Sequence, residues 1–85
     1  MANITIYSKD WCPYCANAKR LLTVRGFEFD EVDITLDSEL EAKLIEQTGL
    51  RTVPQIFVEE QPIGGFVELA RLVSSGDLDH LKHAA

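Results

Sequence analysis

Apolar and polar positions alternate from Asn3 to Tyr7, with Ile4 and Ile6 on one side and Thr5 and Tyr7 on the other. This period of two in β-favouring residues predicts a strand. After the loop Ser8-Lys9-Asp10-Trp11 the period lengthens, and Ala18, Leu21 and Leu22 recur at helical spacing. Pro13 suits the first helical position, where its missing N–H would be unpaired anyway. The helix is expected to run to about Val24 or Arg25, with Lys19, Arg20 and Arg25 in its later turns and Gly26 as a left-handed cap.

Alternation returns from Phe27 to Ile34, where Phe27, Phe29, Val32 and Ile34 point inward and Glu28, Asp30, Glu31 and Asp33 outward, with a slip of phase between Phe29 and Val32. A strand, a helix and a second strand joined by a right-handed crossover imply a parallel pair. Ser38 and Glu41 have capping-box spacing, with Asp37 as the alternative cap; Leu40, Leu44 and Ile45 form a helical face that Gly49 closes. Gln55-Ile56-Phe57-Val58 reads as a third strand, Glu59-Glu60-Gln61 as a tight turn, and Pro62-Ile63 as the start of a short edge strand, the place where a residue without an N–H is tolerated. Phe66, Leu69, Ala70 and Val73 define a last main helix that ends at Ser74-Ser75-Gly76, and Asp77 is a candidate cap for a final turn with Leu78 and Leu81. The expected architecture is α/β, ordered β-α-β-α-β-β-α, with one mixed four-stranded sheet flanked by helices.

Eighty-five residues without linker, repeat or low-complexity tract imply one domain, 1–85. The net charge of −6 opposes binding to nucleic acid or to anionic membranes, both of which call for a dense basic face. No apolar run reaches the length of a membrane span and no signal-peptide pattern opens the chain, so a cytoplasmic setting is expected. In that setting a close cysteine pair is catalytic or metal-binding more often than structural.

Cys12-Pro13-Tyr14-Cys15 holds both cysteines of the chain and lies where the first strand hands over to the first helix. Unpaired N–H groups and the positive end of the helix dipole favour a thiolate there. A thiolate at Cys12 would attack a disulfide, and a thiol one turn later would capture the mixed disulfide. Zinc is the competing chemistry, since His80 and His83 could complete four ligands with the cysteines. Their spacing is shorter than the usual three to five intervening residues, and no metal site is assigned.

Cys12-Pro13-Tyr14-Cys15, then Thr52-Val53-Pro54 before a strand, then Gly64-Gly65 before the last main helix resemble a glutaredoxin, of the short bacterial dithiol type, over approximately Asn3 to Leu81. The resemblance implies a thioredoxin-like fold. It also implies a glutathione-dependent oxidoreductase that reduces protein disulfides and protein–glutathione mixed disulfides. Cys12 would be the nucleophile and Cys15 the resolving thiol, with Pro13 and Tyr14 tuning the pair and Trp11 forming an apolar rim. It further implies a cis peptide between Val53 and Pro54 opposite Cys12.

Glutathione would be a co-substrate, with no tightly bound cofactor. Its contacts would come from Lys9, Tyr14, Arg51, Thr52, Val53, Pro54, Gly65, Phe66 and Val67. Lys9 and Arg51 are the candidates for the glycyl carboxylate. The backbone of Val53 would pair with the peptide as a strand would, and the amides opening the last helix would hold the γ-glutamyl carboxylate. Members of the family usually follow Gly-Gly with Cys or Ser and then Asp, which meets the α-amino group. This chain has Phe66 and Val67, with Glu68 as its first acid, which implies weaker glutathione binding. Disulfide-containing or glutathionylated proteins are the expected partners, and a monomer the expected state. Three other readings are a redoxin reduced by thioredoxin reductase that serves ribonucleotide reductase, a cluster bridged by Cys12 and glutathione, and a structural adaptor.

Overall fold

The computed structural model describes residues 3–82, and His83, weighed above as a competing zinc ligand, falls outside them. Strand β1 (Ile4–Ser8) is followed by α1 (Pro13–Val24), β2 (Asp30–Asp33), α2 (Ser38–Thr48), β3 (Gln55–Val58), β4 (Gln61–Gly64), α3 (Phe66–Ser75) and a single 3-10 turn at Asp79–Leu81. The sheet order is β2-β1-β3-β4, with β1 parallel to β2 and antiparallel to β3, and β3 antiparallel to β4. This is the mixed four-stranded sheet that the alternation implies, and Pro62 lies on its edge strand.

Period-two alternation feeds two cores, one on each face of the sheet. Ile4, Ile6, Ile56 and Val58 pack with Ala18 and Leu22 of α1 and Leu69 and Val73 of α3. On the opposite face Phe57 packs with Ile34 and Leu44, joined by Tyr7, Val32, Leu40 and Val53. β3 is buried at all four positions because helices cover both of its sides. The same division explains the phase slip before β2. Phe27 and Phe29 serve the α1/α3 core, whereas Val32 and Ile34 serve the α2 core, so both pairs point inward to different interiors. Phe27 itself lies outside β2, bridged to Lys82.

Local chemistry sets the element ends. Gly26, Gly49 and Gly76 follow their helices at positive φ. Asp37 is the cap of α2, its carboxylate accepting the Leu40 N–H at 3.1 Å, and Glu41 turns instead to Lys9. The last turn departs from expectation: the Asp77 carboxylate accepts the Ser75 hydroxyl at 2.8 Å, and the turn begins from Leu78 without a side-chain cap. Glu59 and Glu60 both take positive φ, 50° and 69°, the backbone of a two-residue hairpin loop whose twist matches its strands. His80 Nε2 lies 3.5 Å from the Glu59 carboxylate. No helix among the described residues is long and apolar enough to cross a membrane.

Candidate active site

β1 ends at the buried Ser8, and the chain turns through Lys9, Asp10 and Trp11 before α1 begins. The turn is held from the β2 side, where the Thr35 hydroxyl accepts the Asp10 N–H at 2.8 Å and donates to the Asp33 carboxylate at 2.6 Å. The Thr35 hydroxyl and, next, the Thr35 backbone N–H, which donates to the same oxygen at 2.8 Å, hold the Asp33 carboxyl below the usual carboxylate range. Trp11 takes φ 59° and projects its ring into solvent, 99% exposed.

Cys12 is the N-cap of α1, and its sulfur does the work of a capping oxygen, accepting the Cys15 N–H at 3.1 Å. The half-exposed Cys12 sulfur also lies 3.7 Å from the Val53 carbonyl, to which its thiol donates. Cys15 is fully buried behind it, at 0% exposure. Burial and the hydrogen bond with Cys12 push the Cys15 thiol up to about 12, against weaker opposing effects of the Lys9 backbone N–H and of Lys19. The two thiols therefore have different surroundings: one faces water and a loop, the other is buried along the wall of a groove on the β2 side.

Val53 stands at the tip of the loop between α2 and β3, and its bond to Pro54 is cis. The buried Gln55 pins this loop. Its side-chain Nε2 donates to the Leu50 carbonyl at 2.8 Å and its Oε1 accepts the Thr48 hydroxyl at 2.9 Å, so both ends of the amide are satisfied. From the sequence, Gln55 is legible only as a strand residue. A polar residue at the head of a strand whose other members are all apolar was the available signal.

Two grooves lie near Cys12, which lines one of them and reaches the Val53 carbonyl on the border of the other. One, of about 310 Å³, is lined by Tyr14, Thr52, Val53, Pro54, Gly65, Phe66, Val67 and Glu68. Seven of the nine residues expected to contact glutathione thus share one surface, walled by the Tyr14 and Phe66 rings with centroids 6.2 Å apart. Glu68 folds back over the start of α3, its Oε1 accepting the Gly65 N–H at 2.8 Å. The second groove, of about 410 Å³, runs on the β2 side and includes Cys12, Cys15, Lys9, Lys19 and Glu31. Lys9 therefore stands apart from the other candidates, its ammonium paired with Glu41, and Arg51 is exposed and lines neither groove.

A Cys-x-x-Cys pair capping the helix after the first strand, facing a cis-proline loop across a mixed sheet, defines a thiol–disulfide oxidoreductase of thioredoxin-like fold. The glutaredoxin family model matches residues 4–63. The chain is 44% identical over 81 residues to glutaredoxin 3 of Escherichia coli K12, covering 95% of this chain and 98% of that one. It is 42% identical over 84 residues to a glutaredoxin of Pseudomonas aeruginosa, covering 99% and 100%. The solution structure of a glutaredoxin from Brucella melitensis superposes with a TM-score of 0.81 at 43% identity, covering 96% of this chain and 90% of that one. The crystal structure of a buckwheat glutaredoxin–glutathione complex superposes with a TM-score of 0.85 at 28% identity, covering 94% and 76%. The chain belongs to the glutaredoxin family.

Proposed function

We propose that this oxidoreductase uses glutathione as its co-substrate and acts on protein disulfides and on proteins carrying a glutathione adduct. The observation that carries the reading is the Cys12 sulfur at the cap of α1, 3.7 Å from the carbonyl of Val53 on the border of the apolar groove, with Cys15 buried immediately behind. The Cys12 thiolate attacks one sulfur of the target disulfide, forms a mixed disulfide and expels the other sulfur as thiolate. Cys15, or a glutathione thiolate, then attacks Cys12 or its adduct and releases the second product. Two glutathione molecules return the resulting Cys12–Cys15 disulfide to the dithiol, leaving as glutathione disulfide.

In this reading the extended part of glutathione pairs with the Val53 backbone, between Tyr14 and the Thr52–Pro54 loop. Glu68 occupies the Gly65 N–H, which leaves the Phe66 and Val67 amides, unpaired by helix geometry, for the γ-glutamyl carboxylate. Glu68 borders the same groove and is the acid available to the α-ammonium, with Val67 standing where the family usually has Asp. Loss of one charge-assisted hydrogen bond there costs about 1.5–3 kcal/mol, roughly ten- to a hundredfold in affinity.

The apolar end of this groove, at Phe66 and Val67, favours a second reading in which thioredoxin reductase is the reductant. Turnover of a glutathionylated peptide and of an internal protein disulfide is measured with glutathione plus glutathione reductase, and in parallel with thioredoxin reductase. The proposal expects turnover with glutathione, abolished in Cys12→Ser. In Cys15→Ser, turnover is retained on the glutathionylated peptide only. Undiminished activity of Cys12→Ser, or turnover with thioredoxin reductase alone, refutes it.

A further inference from the structure

Cys15 and Lys19 are one helical turn apart on α1, so their side chains lie on the same face. Side chains on a helix lean toward its N-terminus, which carries Lys19 back over Cys15. Both residues line the groove on the β2 side, and the Lys19 ammonium is held there by the Glu31 carboxylate at 2.7 Å. That carboxylate oxygen is in turn fixed by the hydroxyl of the buried Ser8, also at 2.7 Å. A lysine held by an acid that is itself tied to the end of β1 is an ordered cation beside the buried thiol.

We propose that Lys19 is a positioning residue for the resolving step: anchored by Glu31 and Ser8, its ammonium stabilises the Cys15 sulfur as that atom becomes anionic and attacks the mixed disulfide on Cys12. The step rests on Cys15 being the resolving thiol. Cys15 gives its proton to water in the groove, and its sulfur bonds to the Cys12 sulfur. The bond between Cys12 and the substrate sulfur breaks, and the departing thiolate takes up a proton from solvent.

Glu31 is the anchor and not the proton acceptor. Its hydrogen bonds from Lys19 and Ser8 hold the carboxyl below its ordinary range, so it stays ionised. The same bond raises Lys19, which stays cationic through the neutral range. The charged and titratable groups around Cys15 are Cys12 at the cap, Lys19 on α1, Lys9 and Asp10 in the loop, and Glu31 and Asp33 on β2. Lys9 lies in the loop with its ammonium turned to Glu41 of α2, whereas Lys19 is the cation on the helix face that carries the thiol.

The test uses the reduced full chain, rapidly mixed with a symmetrical aromatic disulfide whose thiolate is coloured. Attack by Cys12 releases one thiolate and resolution by Cys15 releases the second, so one trace reports both steps. The ratio of the second rate to the first is followed across neutral and mildly alkaline pH. Lys19→Met is expected to slow the second phase about tenfold at neutral pH and to displace its pH profile upward by about one unit, while Lys19→Arg restores both. Glu31→Gln is expected to slow it in the same direction and less. A second phase unchanged in Lys19→Met at every pH overturns the proposal. So does equal slowing by Met and Arg with an undisplaced profile. A wild-type trace with no second phase, matching Cys15→Ser, instead overturns the assignment of Cys15.

Discussion

Gly64 and Glu68 offer a sharp test of how the start of α3, which borders the apolar groove, is built. Gly64 sits at φ +114°, and a Cβ placed there would meet Glu68 Oε1 at 2.8 Å and its Cγ at 2.9 Å. Gly64→Ala therefore has two costs. The backbone conformation, unfavourable for any L-residue, contributes about 1–2 kcal/mol. Displacing the Glu68 carboxylate from the Gly65 N–H removes a reach-back cap that contributes about 1 kcal/mol. Together these predict a loss of about 2–3 kcal/mol, or roughly 10–20 °C in Tm for a chain of this length. Glu68→Ala alone should cost about 1 kcal/mol, since only the cap is lost. In the double variant no carboxylate remains to be displaced, so the alanine adds only its backbone cost. The four proteins, compared by urea unfolding under reducing conditions, should show a coupling of about 1 kcal/mol. Additivity within about 0.5 kcal/mol would mean that the glycine and the glutamate do not share this corner, and the reasoning would fail.

Two further outcomes follow from the buried groups. Gln55→Met keeps the side-chain volume but strands the Leu50 carbonyl, while the Thr48 hydroxyl keeps the Leu44 carbonyl as its acceptor, and should cost about 1–3 kcal/mol; a midpoint within error of wild type would show that the loop holds itself. The buried Cys15 thiol, raised to about 12, keeps its proton in the folded chain at pH values where the unfolded chain, titrating near 9.0, has lost it. The unfolded state then binds fewer protons, so stability should fall as pH rises from 9 toward 12. Cys15→Ala should flatten that alkaline limb in the presence of reductant, and parallel limbs would contradict the burial argument.

Much of this molecule is legible in its sequence because one force shapes each stretch. β3 is readable to the residue, since Gln55 to Val58 is bounded by Pro54 and a two-glutamate turn. The caps at Gly26, Gly49 and Gly76 are readable because only glycine takes that backbone without cost. The motif at Cys12 is legible because a helix start and a thiol pair coincide there. What escapes is the pairing of charges across elements. Lys9 reads as a candidate for the glycyl carboxylate until α2 brings Glu41 beside it, and Lys19 reads as a cation suited to the later turns of its helix until β2 presents Glu31. Asp77 has the composition of a cap, yet Ser75 two residues earlier takes its carboxylate first. Such contests between equally good local partners are decided by tertiary placement. The slip between Phe29 and Val32 is of another kind: the strand entry feeds two cores in turn, and a single period cannot describe both.

The chain has a single tryptophan, and it stands fully in water one residue before Cys12. Its emission should accordingly be that of a hydrated indole in the native protein and change little when the protein unfolds. A substrate protein seated over Cys12 would dry that ring and shift its light to shorter wavelength. The chain thus carries its own optical gauge of engagement, blind to the interior and placed beside the proposed point of attack.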